Sequence, residues 1–157
     1  MCPLHGFKSR ANAAFVVGEV YHLDLIEERS AKSHRHYFAA INEAWSSLPE
    51  HLAQQWPTPE HLRKHALIAT GYRDETSFVA SSKAEALRIA AFMRPADDFS
   101  VISVNGALVV RATAKSQSLR AMGKDDFTAS KTAVLDWIAD LLGTPRETIE
   151  ARGSEAA

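Results

Sequence analysis

The chain has 157 residues, 46% hydrophobic and 24% charged, with a formal net charge of -1. Such values belong to a soluble globular protein long enough to bury roughly two thirds of its unfolded surface in one domain. They exclude a global signal for a polyanionic partner, so any such signal has to lie in how charge is distributed. A single cysteine, Cys2, excludes an internal disulfide and fits a reducing compartment. No apolar run approaches a membrane span and the first ten residues lack a signal peptide's apolar core, so a cytoplasmic protein without membrane contact is expected.

In chain order, residues 1–12 carry no period and read as a flexible lead-in to one α+β domain over 13–152, with 153–157 as a frayed tail. Residues 13–26 are β-branched, and Val20, His22, Asp24 and Ile26 alternate against Tyr21, Leu23 and Leu25; this is a strand pattern in which Gly18 marks a bulge, bend or turn. Ser30 can cap a helix running to about Ser46, whose Tyr37, Phe38, Ile41, Ala44 and Trp45 recur at helical spacing and face a core. A short helical turn is expected between Pro49 and Gln55. Thr58-Pro59-Glu60 then joins a hydroxyl cap, a proline at the first helical position and an acid near the positive helix end, and Gly71 stops this helix. Leu62, Ala66 and Ala69 take one side of it, with His61, Arg63, Lys64 and His65 on the others.

Thr76–Ala80 reads as a strand, and Ser82 with Glu85 forms a capping box opening a helix that Pro95 ends. Phe99–Val104 and Ala107–Thr113 are β-rich runs joined by Asn105-Gly106, a strong hairpin signal because both residues accept positive φ. Asp125 and Asp126 suit a helix start, and Phe127, Val134, Leu135, Ile138, Leu141 and Leu142 form a regular apolar face that Gly143 caps. A short helix is expected over Thr144–Arg152. The fold class is therefore α+β, with mixed strands and a β-hairpin packed against four to five helices.

Two stretches concentrate positive charge without an acid. From Arg29 to His36 there are Arg29, Lys32 and Arg35 with His34 and His36, beside Tyr37 and Phe38; from Arg111 to Lys124 there are Arg111, Lys115, Arg120 and Lys124 with Ser116, Gln117 and Ser118. Unopposed cations beside aromatics suit a phosphate backbone with stacked bases, and the hydroxyls and amide add neutral hydrogen bonds. The alternative is two unrelated solvated loops, with Tyr37 and Phe38 turned into the core.

For catalysis the pattern offers little. All seven histidines precede residue 66, and His34-x-His36 and His61-x-x-x-His65 have spacings that metal sites use. HLRKH, however, places leucine where a zinc hydrolase has its glutamate, and cations beside it, so no metal and no cofactor are expected. No serine stands in a nucleophile elbow and no glycine-rich phosphate loop is present, so no catalytic residue is assigned. Acid pairs such as Asp97-Asp98 leave a metal-dependent nuclease as the enzyme alternative, and a protein-interaction module without nucleic acid is the other class.

Ile26, Glu28, Arg29, Ser30, Ser33, Arg35, Tyr37 and Phe38, with a helix ending near Trp45, follow an I-x-E-R-S/N-x-x-(polar)-R/K-x-Y/F/W-A pattern. This resembles the opening of the NinB/Orf family of phage recombination mediators. Pro59–Gly71 stands where that family has a helix after a tryptophan-containing loop. Thr113–Gly143 is similar to its strand, serine- and basic-rich turn and long carboxy-terminal helix. The chain departs from the pattern in Ala-Lys-Ser-His after Ser30 and in the hairpin-rich stretch around Phe99 to Val109. The resemblance implies a mixed α+β homodimer that binds single-stranded DNA without strong sequence preference and works alongside a host single-strand binding protein or recombinase. By motif position it carries over Arg29, Ser30, Arg35, Ser116, Ser118, Arg120 and Lys124 as DNA contacts; Lys32, Arg111 and Lys115 join them from the charge pattern alone.

Overall fold

The structure, a computed structural model, describes residues 15–16, 18–21, 31–118 and 120–155, and in the first turn of the first helix the backbone only of Ala31 and Lys32. In chain order these residues form α1 (Ala31–Ser46), α2 (Glu50–Ala53), α3 (Pro59–Ala69), β1 (Arg73–Val79) and α4 (Lys83–Met93). A 3-10 turn (Arg94–Ala96), β2 (Val101–Asn105), β3 (Leu108–Ala114), α5 (Lys124–Leu142) and α6 (Arg146–Glu155) complete them. The class is α+β, as expected, with six helices rather than four to five among the described residues.

Local chemistry explains most boundaries. Thr58 accepts a hydrogen bond from the His61 backbone N–H at 3.3 Å and Pro59 occupies the first turn, so α3 starts where the cap dictates. Ser82 accepts from the Glu85 N–H at 3.2 Å, but the Glu85 carboxylate reaches back to the N–H of Ser81, at 2.7 Å, one residue before the expected partner. Gly143 ends α5 at φ 60°, a left-handed backbone that glycine adopts without Cβ strain. The cap expected at Ser30 and the strand residues 22–26 lie outside the described residues. Residues 15–16 and 18–21 are in no strand; Glu19 N–H donates to the Val16 carbonyl at 3.3 Å across a turn with Gly18 at φ 96°.

Three antiparallel strands lie in the order β1-β3-β2. The hairpin forms, shifted by one residue: Asn105 still pairs with Leu108, and the two-residue turn is Gly106-Ala107 with only Gly106 at positive φ. Glycine in the first central position satisfies the mirror-image turn, so Asn105 is released to the strand. β1 starts three residues before the expected Thr76, because Arg73 pairs with Ala114 at the far end of β3. Every residue of this edge strand is exposed.

Two apolar clusters hold the chain together. Tyr37 and Ile41 of α1, Leu62 and Leu67 of α3, Val134, Leu135 and Ile138 of α5 and Ile149 of α6 form the larger one. Each fully buried leucine or isoleucine contributes roughly 1.5–3 kcal/mol of transfer free energy. The smaller joins Ala86 and Ala90 of α4 to Val109, Ile102 and Val104 of the hairpin. Among the described residues no helix is long and apolar enough to cross a membrane.

The carboxy-terminal helix runs past its expected end at Arg152 because it crosses α1 closely. Gly153 is buried, and a Cβ built there falls 2.6 Å from the Ala40 backbone. On an exposed helix, glycine to alanine stabilises by about 1 kcal/mol. Here Gly153→Ala is expected to destabilise by about 1–3 kcal/mol through overpacking, read as a lower urea midpoint; a higher midpoint would contradict the close crossing.

Candidate functional site

The turn between β3 and α5 is anchored by a glutamine that points inward. The Gln117 side-chain carbonyl accepts hydrogen bonds from the Arg63 guanidinium and, at 3.3 Å, from the Tyr37 hydroxyl; its amide donates to the Ser130 hydroxyl at 2.8 Å. Ser130 in turn donates to the Phe127 carbonyl at 2.9 Å. Arg63, Gln117 and Ser130 are the buried polar side chains of the described core. Each is partnered, as a buried polar group has to be. Burial pushes the Tyr37 phenol above its ordinary value, so it stays a neutral donor. One helical turn earlier, the Glu60 carboxylate takes the Arg63 fork in two bonds, 2.8 Å and 2.6 Å, and lies 3.6 Å from the Lys64 ammonium. Burial opposes the charge on Glu60, but the Arg63 fork and Lys64 outweigh it and hold the carboxyl below its usual range.

Above this network lies an open groove of about 370 Å³. α1 contributes His34 and Phe38, α3 contributes Glu60, Arg63 and Lys64, and the turn contributes Lys115, Ser116, Gln117 and Ser118. The Lys115 N–H donates to the Tyr72 carbonyl at 2.9 Å, which fixes where the chain leaves the sheet. Phe38 is half-buried at the groove, with the His34 ring 4.7 Å away and the Arg63 guanidinium 5.4 Å from its centroid. Lys64 lies 3.8 Å from the Phe99 ring, which also meets His61 at 4.5 Å.

The structure brings together some of the expected contacts and separates others. Lys115, Ser116 and Ser118 line the groove and are exposed. Arg35 is exposed on α1, about 100° around the helix from His34, and Arg120 is exposed in the turn before α5. Neither they nor Lys115 form an ion pair among the described residues. Lys124, also exposed, opens α5 next to Asp125 and Asp126. Arg111 is different. It shares a sheet face with Val109 and Ile102, the side packed by α4, and its guanidinium is held by Asp97 at 2.7 Å. The stretch that lacks acids in sequence acquires one in space. Lys32 lies in the first turn of α1, its side chain outside the described residues, as are Arg29 and Ser30.

Two further expectations are corrected. Tyr37 is fully buried and offers no face for stacking, and Gln117 is turned into the core rather than toward a ligand. Conversely, Arg63 was expected on an outer side of α3 but is buried, whereas Ala69, placed on the apolar side, is exposed. Phe38 lines the groove, as its place beside the basic stretch leads one to expect, whereas Glu60, Arg63 and Lys64 are groove residues absent from the expected contacts. For Arg63 and Lys64 the cation cluster HLRKH is the only signal, because contact with the distant turn has no local signature.

The paired histidines of α3 diverge. His61 Nδ1 lies 2.7 Å from the Thr58 hydroxyl, while His65 packs against both Trp56 and Trp137, where burial holds its pKa below the ordinary value. Among the described residues no group of three or more His, Cys, Asp and Glu side chains is placed to hold a metal. Compared with protein-family models, with curated proteins and with solved structures, the chain matches none.

Proposed function

We propose that this protein binds single-stranded DNA along the groove between α1, α3 and the β3–α5 turn. It would serve as a non-enzymatic accessory of phage-type recombination or replication, as a homodimer acting beside a host single-strand binding protein or recombinase. The observation that carries the binding role is the groove itself: Lys115, Ser116 and Ser118 line it with Lys64, the half-buried Phe38 ring and the exposed His34 ring, and the one carboxylate in the lining among the described residues, Glu60, is engaged by Arg63. A cationic rim over aromatic rings suits a flexible strand, whose phosphates meet the cations while unpaired bases stack. The recombination setting, the homodimer and the protein partner rest on the likeness to NinB/Orf proteins described above.

Fluorescence anisotropy with labelled single- and double-stranded oligonucleotides, at roughly 50 and 200 mM salt, tests the binding role. Tighter binding of the single strand, weakening steeply with salt and little changed by base sequence, is expected. Absence of a salt-dependent signal would leave a protein-interaction module as the better description, and cleavage that requires divalent metal and stops with EDTA would indicate the nuclease.

A further inference from the structure

Given single-stranded DNA as the ligand, as proposed above, we infer that Glu60 is a built-in competitor of phosphate: its carboxylate holds Lys64, and a bound strand takes that lysine over.

The two cations beside Glu60 are held very differently. Arg63 is buried, makes two bonds to the carboxylate and a third to Gln117, so it is fixed in the wall. Lys64 is bound loosely, at 3.6 Å, with 30% of its side chain exposed against 40% for Glu60. A long flexible ammonium at that distance exchanges partners readily, whereas a two-pronged guanidinium pair does not. Asp97, the other carboxylate close to Lys64, is occupied: it accepts from the Phe99 N–H at 3.0 Å and pairs with Arg111 at 2.7 Å. The Phe99 ring under the ammonium keeps Lys64 at the groove in either state.

Among the described residues Glu60 therefore cancels one of the three cations lining the groove, Arg63, Lys64 and Lys115. A phosphate entering beside Lys64 meets that negative charge, which the Arg63 fork keeps in place, and has to take the ammonium from it. Such a competitor sets a threshold: a ligand held only by phosphate contacts loses more than one that also stacks its bases on Phe38 and His34.

Glu60→Gln keeps an oxygen to accept from Arg63 while removing the charge. With labelled oligothymidylate it is expected to bind roughly threefold tighter or more, because Lys64 no longer has to be taken from a carboxylate, while the log–log salt slope stays close to the parent's, since the same phosphate contact forms in both proteins. Adding Lys64→Ala to that variant should erase the gain. If the wild-type protein binds and a folded Glu60→Gln protein binds no more tightly, the competitor role is wrong while the binding role stands. If the wild-type protein shows no salt-dependent binding, both fall. A measurement on the unmodified protein covers an unstable variant: the Glu60 carboxyl carbon resonance should move on saturation with oligothymidylate, and an unmoved resonance overturns the exchange.

Discussion

Replacing Arg35 and Lys115 together by alanine is expected to weaken oligonucleotide binding about tenfold near physiological salt and to make the log–log salt slope shallower by about 1.4, two lost phosphate contacts on a single strand. The two residues come from different elements, the solvent side of α1 and the exit of β3, and neither forms an ion pair among the described residues. Truncating them exposes no buried partner, so the fold should be unaffected and the loss uniform across base sequences. Arg111→Ala combined with Asp97→Asn is the control from the same charge-rich stretch. The two charges neutralise each other on the α4 side of the sheet, and asparagine keeps the acceptor for the Phe99 N–H, so the slope should stay where it was. A shallower slope in this control with none in the Arg35 and Lys115 variant would move the interface to the other sheet face.

The second large effect concerns stability. Gln117→Leu should cost about 2–4 kcal/mol, because it strips the acceptor shared by Arg63 and Tyr37 and leaves both donors buried without it. Differential scanning calorimetry would read this as a melting temperature lower by roughly 5–15 °C. Ser116→Ala, one residue away and exposed, should remain within about 0.5 kcal/mol of the parent protein. Equal stability of the two variants would show that the inward glutamine does not hold the turn. Since Gln117 fixes the chain between Lys115 and Ser118, a folded Gln117→Leu protein should also bind oligonucleotide less well, through displaced contacts rather than lost charge.

Much of the fold was legible because it is written in short-range chemistry. Thr58-Pro59-Glu60, Ser82 with Glu85, and Gly143 mark helix ends through hydrogen bonds that span three or four residues. The 3.6-residue period of Val134, Leu135 and Ile138 fixed the buried face of α5 before any partner was known. The hairpin was legible too, and its one-residue shift reflects a choice between Asn105 and Gly106 that strand pairing makes. The helix end at Glu155 was not legible, because Gly153 owes its place to Ala40, more than a hundred residues earlier.

The candidate site divides in the same way. By itself the sequence determined most of the helices, the hairpin and the two runs of cations, since charge, period and caps are local properties of the chain. Only the tertiary structure decided that Arg111 faces Asp97, that Arg63 lies beneath the groove, and that Phe38, Lys64 and Lys115 meet around it. Those outcomes depend on which faces the helices and sheet bury against one another, and a cation's field at a ligand depends on the carboxylates that packing brings close.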